Sequence, residues 1–424
     1  MKKGTPVFER CVCFGLLLAA APAARSAEPQ RASDAQAATV TIYDQGFALV
    51  QELRRVMVNR GENDIVFYGL PRTLDAATTA FTVMAGVKPL ELLEQTFSGS
   101  NSAQAELRWL VKSGGDGFSN MRLSYRAGGF GWSAAHELVL GGSDSQARFS
   151  TRVALQNQSG RTFDMARVKL ALTERGSVSK LPVETGNAAS AVPQRFAYGR
   201  NDTAADRLVA GLATLQTYEL ADPLALPDGP TKYVTMFTTD KLTVRRVYVY
   251  DGVRFDRFQR NRRTDRSYGT ECRNIVDAFV EFDNDAGGGL GEPLPPGPLR
   301  LMQRRSGDVL DFLGETELPP TAAKASARAR IGPARGLHGE RERTGFAEIR
   351  QAHEYEESFE IRVYNESEEG ATVRVVEHLY RSEDFEIVKA DTEYKKTAAQ
   401  TVEFSPDLKA GGQRAIHYTV RYRW

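Results

Sequence analysis

Residues Ala415 to Trp424 read AIHYTVRYRW, with Ile416, Tyr418, Val420, Tyr422 and Trp424 alternating with His417, Thr419, Arg421 and Arg423. Period-two alternation gives a strand one apolar and one solvated face; helical apolar positions recur about every 3.6 residues instead. The same grammar fills most of the chain. Runs such as TVTIYDQGFALVQELRRVMV, AELRWLV, MRLSYRA, ARFSTRVALQN, LTVRRVYVYDG and SFEIRVYN are short, rich in β-branched and aromatic residues, and separated by Gly, Asn, Asp and Pro. Neither a heptad nor a strand–helix alternation interrupts them. Short strands between turn signals predict an all-β chain of two to three β-sandwich-like domains.

The pattern divides as 39–98, an N-terminal β domain; 99–290, a central β-sandwich; and 291–424, a C-terminal β-sandwich, with 28–38 as a polar linker. Residues 177–216 lose regular pattern and predict a long irregular insertion, within which Leu208, Leu212 and Leu215 suit one short helical turn. Lys324 to Thr344 is a basic stretch of low hydrophobicity between strand runs.

Lys2, Lys3 and Arg10 precede an apolar run from Cys11 to Ala21, and the small residues of APAARSA follow. This is the layout of a signal peptide over residues 1–27, and the run is shorter than the ~20 residues a membrane-spanning helix takes. The expectation is an exported chain, periplasmic or extracellular, with no transmembrane segment after cleavage. Loss of Lys2, Lys3, Arg10, Arg25 and Glu9 would take the formal charge from +1 to −2. A balance of that kind argues against nucleic acid as a partner. Two of the three cysteines leave with the leader, so Cys272 stands alone and no internal disulfide is expected.

The residues that carry chemistry elsewhere are sparse here. HELVL at His136 and HEYEE at His353 each lack the second histidine of a zinc helix, and both read as ordinary strand or surface histidines. DNDAGGG (Asp283 to Gly289) looks oxygen-rich, but Leu294 stands where an EF-hand needs Glu, so a hairpin loop is the better reading. No nucleophile elbow, Walker loop or dinucleotide fingerprint occurs, and Cys272 reads as a buried thiol. No catalytic, metal or cofactor-binding residues are assigned, and no cofactor is implied. Paired carboxylates brought together only by the fold leave no spacing rule, which keeps a glycan-acting hydrolase open.

The sharpest charge feature is RFDRFQRNRRTDR, with Arg254, Arg257, Arg260, Arg262, Arg263 and Arg266 in one short segment. Guanidinium forks bind carboxylate and phosphate oxygens in pairs, which makes this a candidate anion or glycan patch. The plainer reading is a solvated loop neutralised by nearby acids, with EYEESFE (Glu354, Glu356, Glu357, Glu360) as the evident source.

VTIYDQGFALVQELR with GLPRTLD, LSYRAGGFGWSAAHELVL, VALQNQSGRTFDMARVKLAL, LGEPLPPGPLRL with FLGETEL, and SFEIRVYNESEEGATVRVVEHLY occur in that order. As an ordered set they resemble the DUF4139 family of exported bacterial proteins, related to the mucoidy-inhibitor proteins. His136 stands where that family usually has an aromatic residue, and IGPARGLHG where it has an apolar run. The resemblance implies an exported β-sandwich protein linked to the cell envelope or its polysaccharide, and it transfers no catalytic residues. The expected role is therefore binding or structural, with envelope polysaccharide or another envelope protein as partner. A periplasmic glycan hydrolase and an outer-membrane barrel are the alternatives. The sandwich setting predicts that Ile416, Tyr418, Val420, Tyr422 and Trp424 face a core and that Arg421 and Arg423 face water. A barrel setting would want a glycine at Thr419 and strands of ~9–11 residues throughout.

Overall fold

The computed structural model describes residues 29–99, 105–141, 145–173, 216–254, 263–305, 309–351 and 353–424. Residues 1–27, expected to be a signal peptide, the expected insertion up to residue 215, and Arg257, Arg260 and Arg262 lie outside the described residues. Among the described residues there is no helix, and the chain is all-β. The strands are β1 (Gln30–Arg31), β2 (Ala38–Tyr43), β3 (Phe47–Val58), β4 (Gly61–Leu70), β5 (Leu74–Gly86), β6 (Leu90–Ser98), β7 (Ala105–Ser113) and β8 (Gly117–Gly128). They continue as β9 (Phe130–Leu140), β10 (Gln146–Asn157), β11 (Phe163–Leu172), β12 (Gln216–Glu219), β13 (Leu224–Leu226), β14 (Lys232–Tyr250), β15 (Ile275–Asp283) and β16 (Gly297–Arg304). The last are β17 (Leu310–Leu318), β18 (Ser326–Arg350), β19 (Glu354–Asn365), β20 (Ala371–His378), β21 (Phe385–Ala390), β22 (Tyr394–Ala398), β23 (Thr401–Phe404), β24 (Asp407–Leu408) and β25 (Gln413–Arg423).

Two compact units form, each discontinuous in sequence. The first takes the residues up to Gln36 with Leu53–Leu70 and Thr82–Arg122. Its sheet runs β1-β4-β7-β6. Alternation in these strands buries Ile65, Phe67, Leu107, Trp109 and Val111. Trp109 meets Phe67 edge-on at 4.8 Å and donates its indole N–H to Gln95 at 2.9 Å, so the ring is buried with its polar atom paired.

The second unit holds Ala37–Glu52, Pro71–Phe81 and Leu123–Trp424. Most of it is a sheet whose main path runs β17-β16-β9-β10-β14-β15-β18-β19-β25-β21. The first seven strands of that path curl around Leu138, Phe149, Leu242, Phe282, Leu299, Leu301 and Ala329. β17 comes alongside β18, where a Cβ on Gly314 would lie 3.4 Å from the Ile331 carbonyl oxygen. No ladder joins the two, and none of the sheets closes into a barrel. A second core lies where Phe359, Ile361, Val363, Ile416, Tyr418 and Val420 of β19 and β25 meet Val373, Val375, Val402 and Phe404 of β20 and β23. That is a sandwich of two layers. β14 and β18 are long enough to serve both cores: Leu242 and Ala329 fill the first, Tyr250 and Leu337 the second.

The final strand sits between β19 and β21. Ile416, Tyr418, Val420 and Tyr422 are buried, while Trp424 packs half-buried on Tyr355 at 5.1 Å. Arg421 and Arg423 lie on the opposite, partly exposed face, as the alternation requires. They bond Glu356 at 2.9 Å and Glu386 at 2.8 Å.

Candidate anion-binding site

The basic stretch from Lys324 to Thr344 lies in β18, the longest strand, from Ser326 onward, and its period-two pattern places two charges inward. The inward positions near its middle are Leu337, Gly339, Arg341 and Arg343, so two guanidiniums point where apolar side chains belong. Glu357 on β19, Glu377 on β20 and Arg381 just after β20 meet them inside the sandwich, all essentially without solvent exposure. Arg341 Nε donates to both Glu377 oxygens at 3.0 and 2.9 Å, and the Tyr418 hydroxyl bonds the same carboxylate. Arg343 Nη1 and Arg381 Nη2 each donate to Glu357 at 2.9 Å, joined by the Tyr380 hydroxyl at 3.1 Å. Burial disfavours a charged Arg341, yet Glu377 beside it holds the guanidinium well above its ordinary value. Burial, then the adjacent glutamates, raise the hydroxyls of Tyr380 and Tyr418. The layer stays ionised on its guanidinium side and protonated on its phenols.

Further donors of these arginines go to one stretch of backbone. Arg381 Nη1 donates to the carbonyls of Arg263 and Asp265 at 3.0 and 2.9 Å, and its Nη2 to that of Tyr268 at 3.3 Å. Arg343 Nη1 reaches the Arg266 carbonyl at 2.6 Å, and Arg341 Nη1 the Gly269 carbonyl at 2.8 Å. Gly269 has φ +77°, and a Cβ there would strike the Tyr380 ring at 2.1 Å, so only glycine allows this approach. The C-terminal part of the arginine-rich segment is thereby fastened by its backbone, with Tyr268 packed into the second core and the Arg263 and Arg266 side chains left outward. Arg254, Arg263 and Arg266 are exposed, and none forms an ion pair among the described residues. Arg266 lies over the Phe346 ring at 5.4 Å.

The acids expected to neutralise this segment have other partners. Glu354 and Glu356 face Arg423 and Arg421 across the β19–β25 ladder, Glu360 pairs Arg362 at 2.7 Å, and Glu357 is held in the buried layer. Sequence proximity did not show this, because cross-strand register decides which charges meet.

Beside Arg254 runs a groove of about 530 Å³, lined also by Cys272, Arg273, Glu340, Glu342 and Glu360. Cys272 is exposed rather than buried. It sits in an isolated bridge with Val253, outside the packed ladders, and its thiol donates to the Arg341 carbonyl at 3.3 Å rather than to a histidine. His136 is buried in β9 with both nitrogens occupied, by Thr151 and by the Pro295 carbonyl, each at 2.9 Å. His353 lies at the surface against the Trp424 carbonyl. In the Asp283–Gly289 loop, Asp283 pairs Arg245 at 3.0 Å and Ser326 at 2.6 Å. The buried Asn284 ties the loop to the carbonyls of Glu292, Thr321 and Ala322. A hydrogen-bonded turn accounts for that sequence.

The family model described as Domain of unknown function (DUF4139) matches residues 121–424. The chain belongs to the DUF4139 family. No curated protein matches it. The DUF4139 region includes both cores of the second unit, the buried ionic layer and the arginine segment. Sequence reading found the segment through its density of arginines but missed Arg341, Arg343 and Arg381. The legible signal was GERERT, a period-two alternation of charge in which one sign faces inward.

Proposed function

We propose that this DUF4139 protein is an exported, non-enzymatic binding protein of the cell envelope whose ligand is an anionic polysaccharide. The observation that carries the reading is the exposure of Arg254, Arg263 and Arg266 without carboxylate partners among the described residues, with the backbone of 263–269 fixed from beneath. A guanidinium held at the surface loses less freedom on binding than one on a loose loop, and polyanions offer repeated carboxylate or sulfate oxygens to it. The leader-like residues 1–27 support export, and the family resemblance supports an envelope role.

The test is binding of the mature chain to immobilised polygalacturonate and dextran sulfate, with neutral dextran as control. Wild type should be retained by the polyanions and released by salt. The combined substitution Arg254→Ala, Arg263→Ala, Arg266→Ala should weaken retention at least about tenfold, one decade per 1.4 kcal/mol. Equal retention on neutral dextran, or no effect of the substitutions, would sink the proposal.

The groove gives a second reading some support, since it gathers Glu340, Glu342 and Glu360, with Glu342 opposite Glu360 in the β18–β19 ladder. A glycan hydrolase needs two carboxyls ~5–9.5 Å apart. Release of reducing ends from the same polysaccharides, abolished by Glu342→Gln, would favour it over simple binding.

A further inference from the structure

We infer that the second unit uses one strand arrangement twice, and that the second copy has exchanged an apolar interior for an ionic clamp that positions the arginine segment. The positioning role rests on the anion-binding reading above. The two copies share an unusual turn. After β10, Asn157 donates to the carbonyls of Arg161 and Leu226 at 2.7 and 3.1 Å, and its Oδ1 accepts from Ser159 N and Oγ at 3.1 and 2.7 Å. After β19, Asn365 donates to the carbonyls of Glu369 and Lys409 at 2.8 and 3.0 Å, and its Oδ1 accepts from Ser367 N and Oγ at 3.0 and 2.6 Å.

The pairings around the turns match as well. β10 lies between β9 and β14, and β19 between β18 and β25, all antiparallel. β11 pairs β12 and β13 antiparallel and β2 parallel; β20 pairs β23 and β24 antiparallel and β14 parallel.

Counting back from the two asparagines equates Glu357 with Phe149 and Phe359 with Thr151. Registers then equate Arg343, opposite Phe359, with His136, opposite Thr151. Arg341, opposite Ile361, falls on Ala134, opposite Val153. Beyond the bulge in β11, Glu377 falls on Leu170, which is fully buried. At these four positions the first copy thus has Phe149, His136, Ala134 and Leu170, and the buried ion pair of Arg161 with Glu52 lies elsewhere, so the arrangement closes without ions at the matching places. Buried ion pairs are replaceable by apolar groups at little or no loss of stability, so the layer calls for another purpose. Its visible work is the set of bonds from Arg341, Arg343 and Arg381 to the carbonyls between Arg263 and Gly269. These three arginines are positioning residues for the exposed Arg263 and Arg266.

The test transplants the first copy's interior: Arg341→Ala, Arg343→His, Glu357→Phe and Glu377→Leu, with Arg381→Met to avoid an unpaired charge. Two readouts are taken on the full mature chain: amide hydrogen exchange of residues 263–269 and affinity for dextran sulfate. The expected result is a folded protein whose 263–269 amides exchange at least about tenfold faster, with affinity down by about the same factor at unchanged melting temperature. The single variant Arg381→Gln leaves the Arg341–Glu377 pair in place and should move both readouts in the same direction if the fivefold variant does not fold. Wild-type exchange in a folded variant overturns the clamp. Wild-type affinity in a variant whose segment has come loose overturns the positioning role alone, whereas a wild type that binds no polyanion overturns the function on which that role rests.

Discussion

Histidine 136 should make this protein's stability fall in mild acid by an amount that one substitution removes. The side chain is 3 % exposed, stacks on Phe149 at 5.7 Å, and has Thr151 and the Pro295 carbonyl on its two nitrogens. Burial penalises the imidazolium and lowers its pKa from the ordinary 6.5 to about 4, with the Pro295 carbonyl opposing part of that effect. The unfolded chain therefore binds more protons than the folded one between about pH 6.5 and pH 4. Stability conferred by the neutral ring is present above the unfolded value and is lost as pH falls toward the folded one. At 1.36 kcal/mol per unit, the loss between pH 7 and pH 5 is about 2 kcal/mol, and about 3 kcal/mol when both states are protonated.

Urea unfolding of wild type and His136→Phe at pH 7, 6 and 5, followed by tryptophan fluorescence, measures it; Trp132 lies on the same strand. Phe keeps the stacking but leaves Thr151 and Pro295 without their partner, a pH-independent offset of about 1–3 kcal/mol. The gap between the two proteins should then narrow by about 2 kcal/mol from pH 7 to pH 5. A gap that stays constant across that range refutes the argument, because a histidine as readily protonated inside as outside produces no linkage.

Other consequences follow from named contacts. Glu357→Ala leaves Arg343 and Arg381 facing each other in the sandwich without their carboxylate and should destabilise by about 3–5 kcal/mol in denaturant titration. Asn365→Ala removes the bonds that close the β19–β20 turn and should lower stability by about 1–3 kcal/mol, as should Asn157→Ala at the matching turn. Trp109→Ala empties a fully buried site in the first unit and should cost about 3–5 kcal/mol, while exchange protection around β25 stays unchanged. Cys272, exposed at the groove, should react fully with iodoacetamide in the native protein; protection until denaturant is added would contradict its placement.

The all-β class, the strand runs and the inner and outer faces of the last strand were legible because strand geometry imposes a period of two on any sequence that forms it. Val420 and Tyr422 cannot face solvent while Arg421 and Arg423 face the core. The turn at Asn157 is legible for a similar local reason, since NQSG gathers turn-forming residues between two strand runs. Its partner at Asn365 passed unnoticed, since the shared residues are only Asn and Ser two apart. Arg341 and Arg343 were hidden by their own charge: hydrophobic patterning reads an arginine as an outward residue, and a buried guanidinium is tolerated only where carboxylates and carbonyls from distant strands converge on it. Glu377 and the Gly269 carbonyl supply those partners for Arg341, and Glu357 and the Arg266 carbonyl for Arg343, all from other segments of the chain. Local periodicity thus determined which segments are strands and which way most side chains point. Only the tertiary pairing decided which charges neutralise one another, and so left Arg254, Arg263 and Arg266 exposed while the acids of EYEESFE were taken by other arginines.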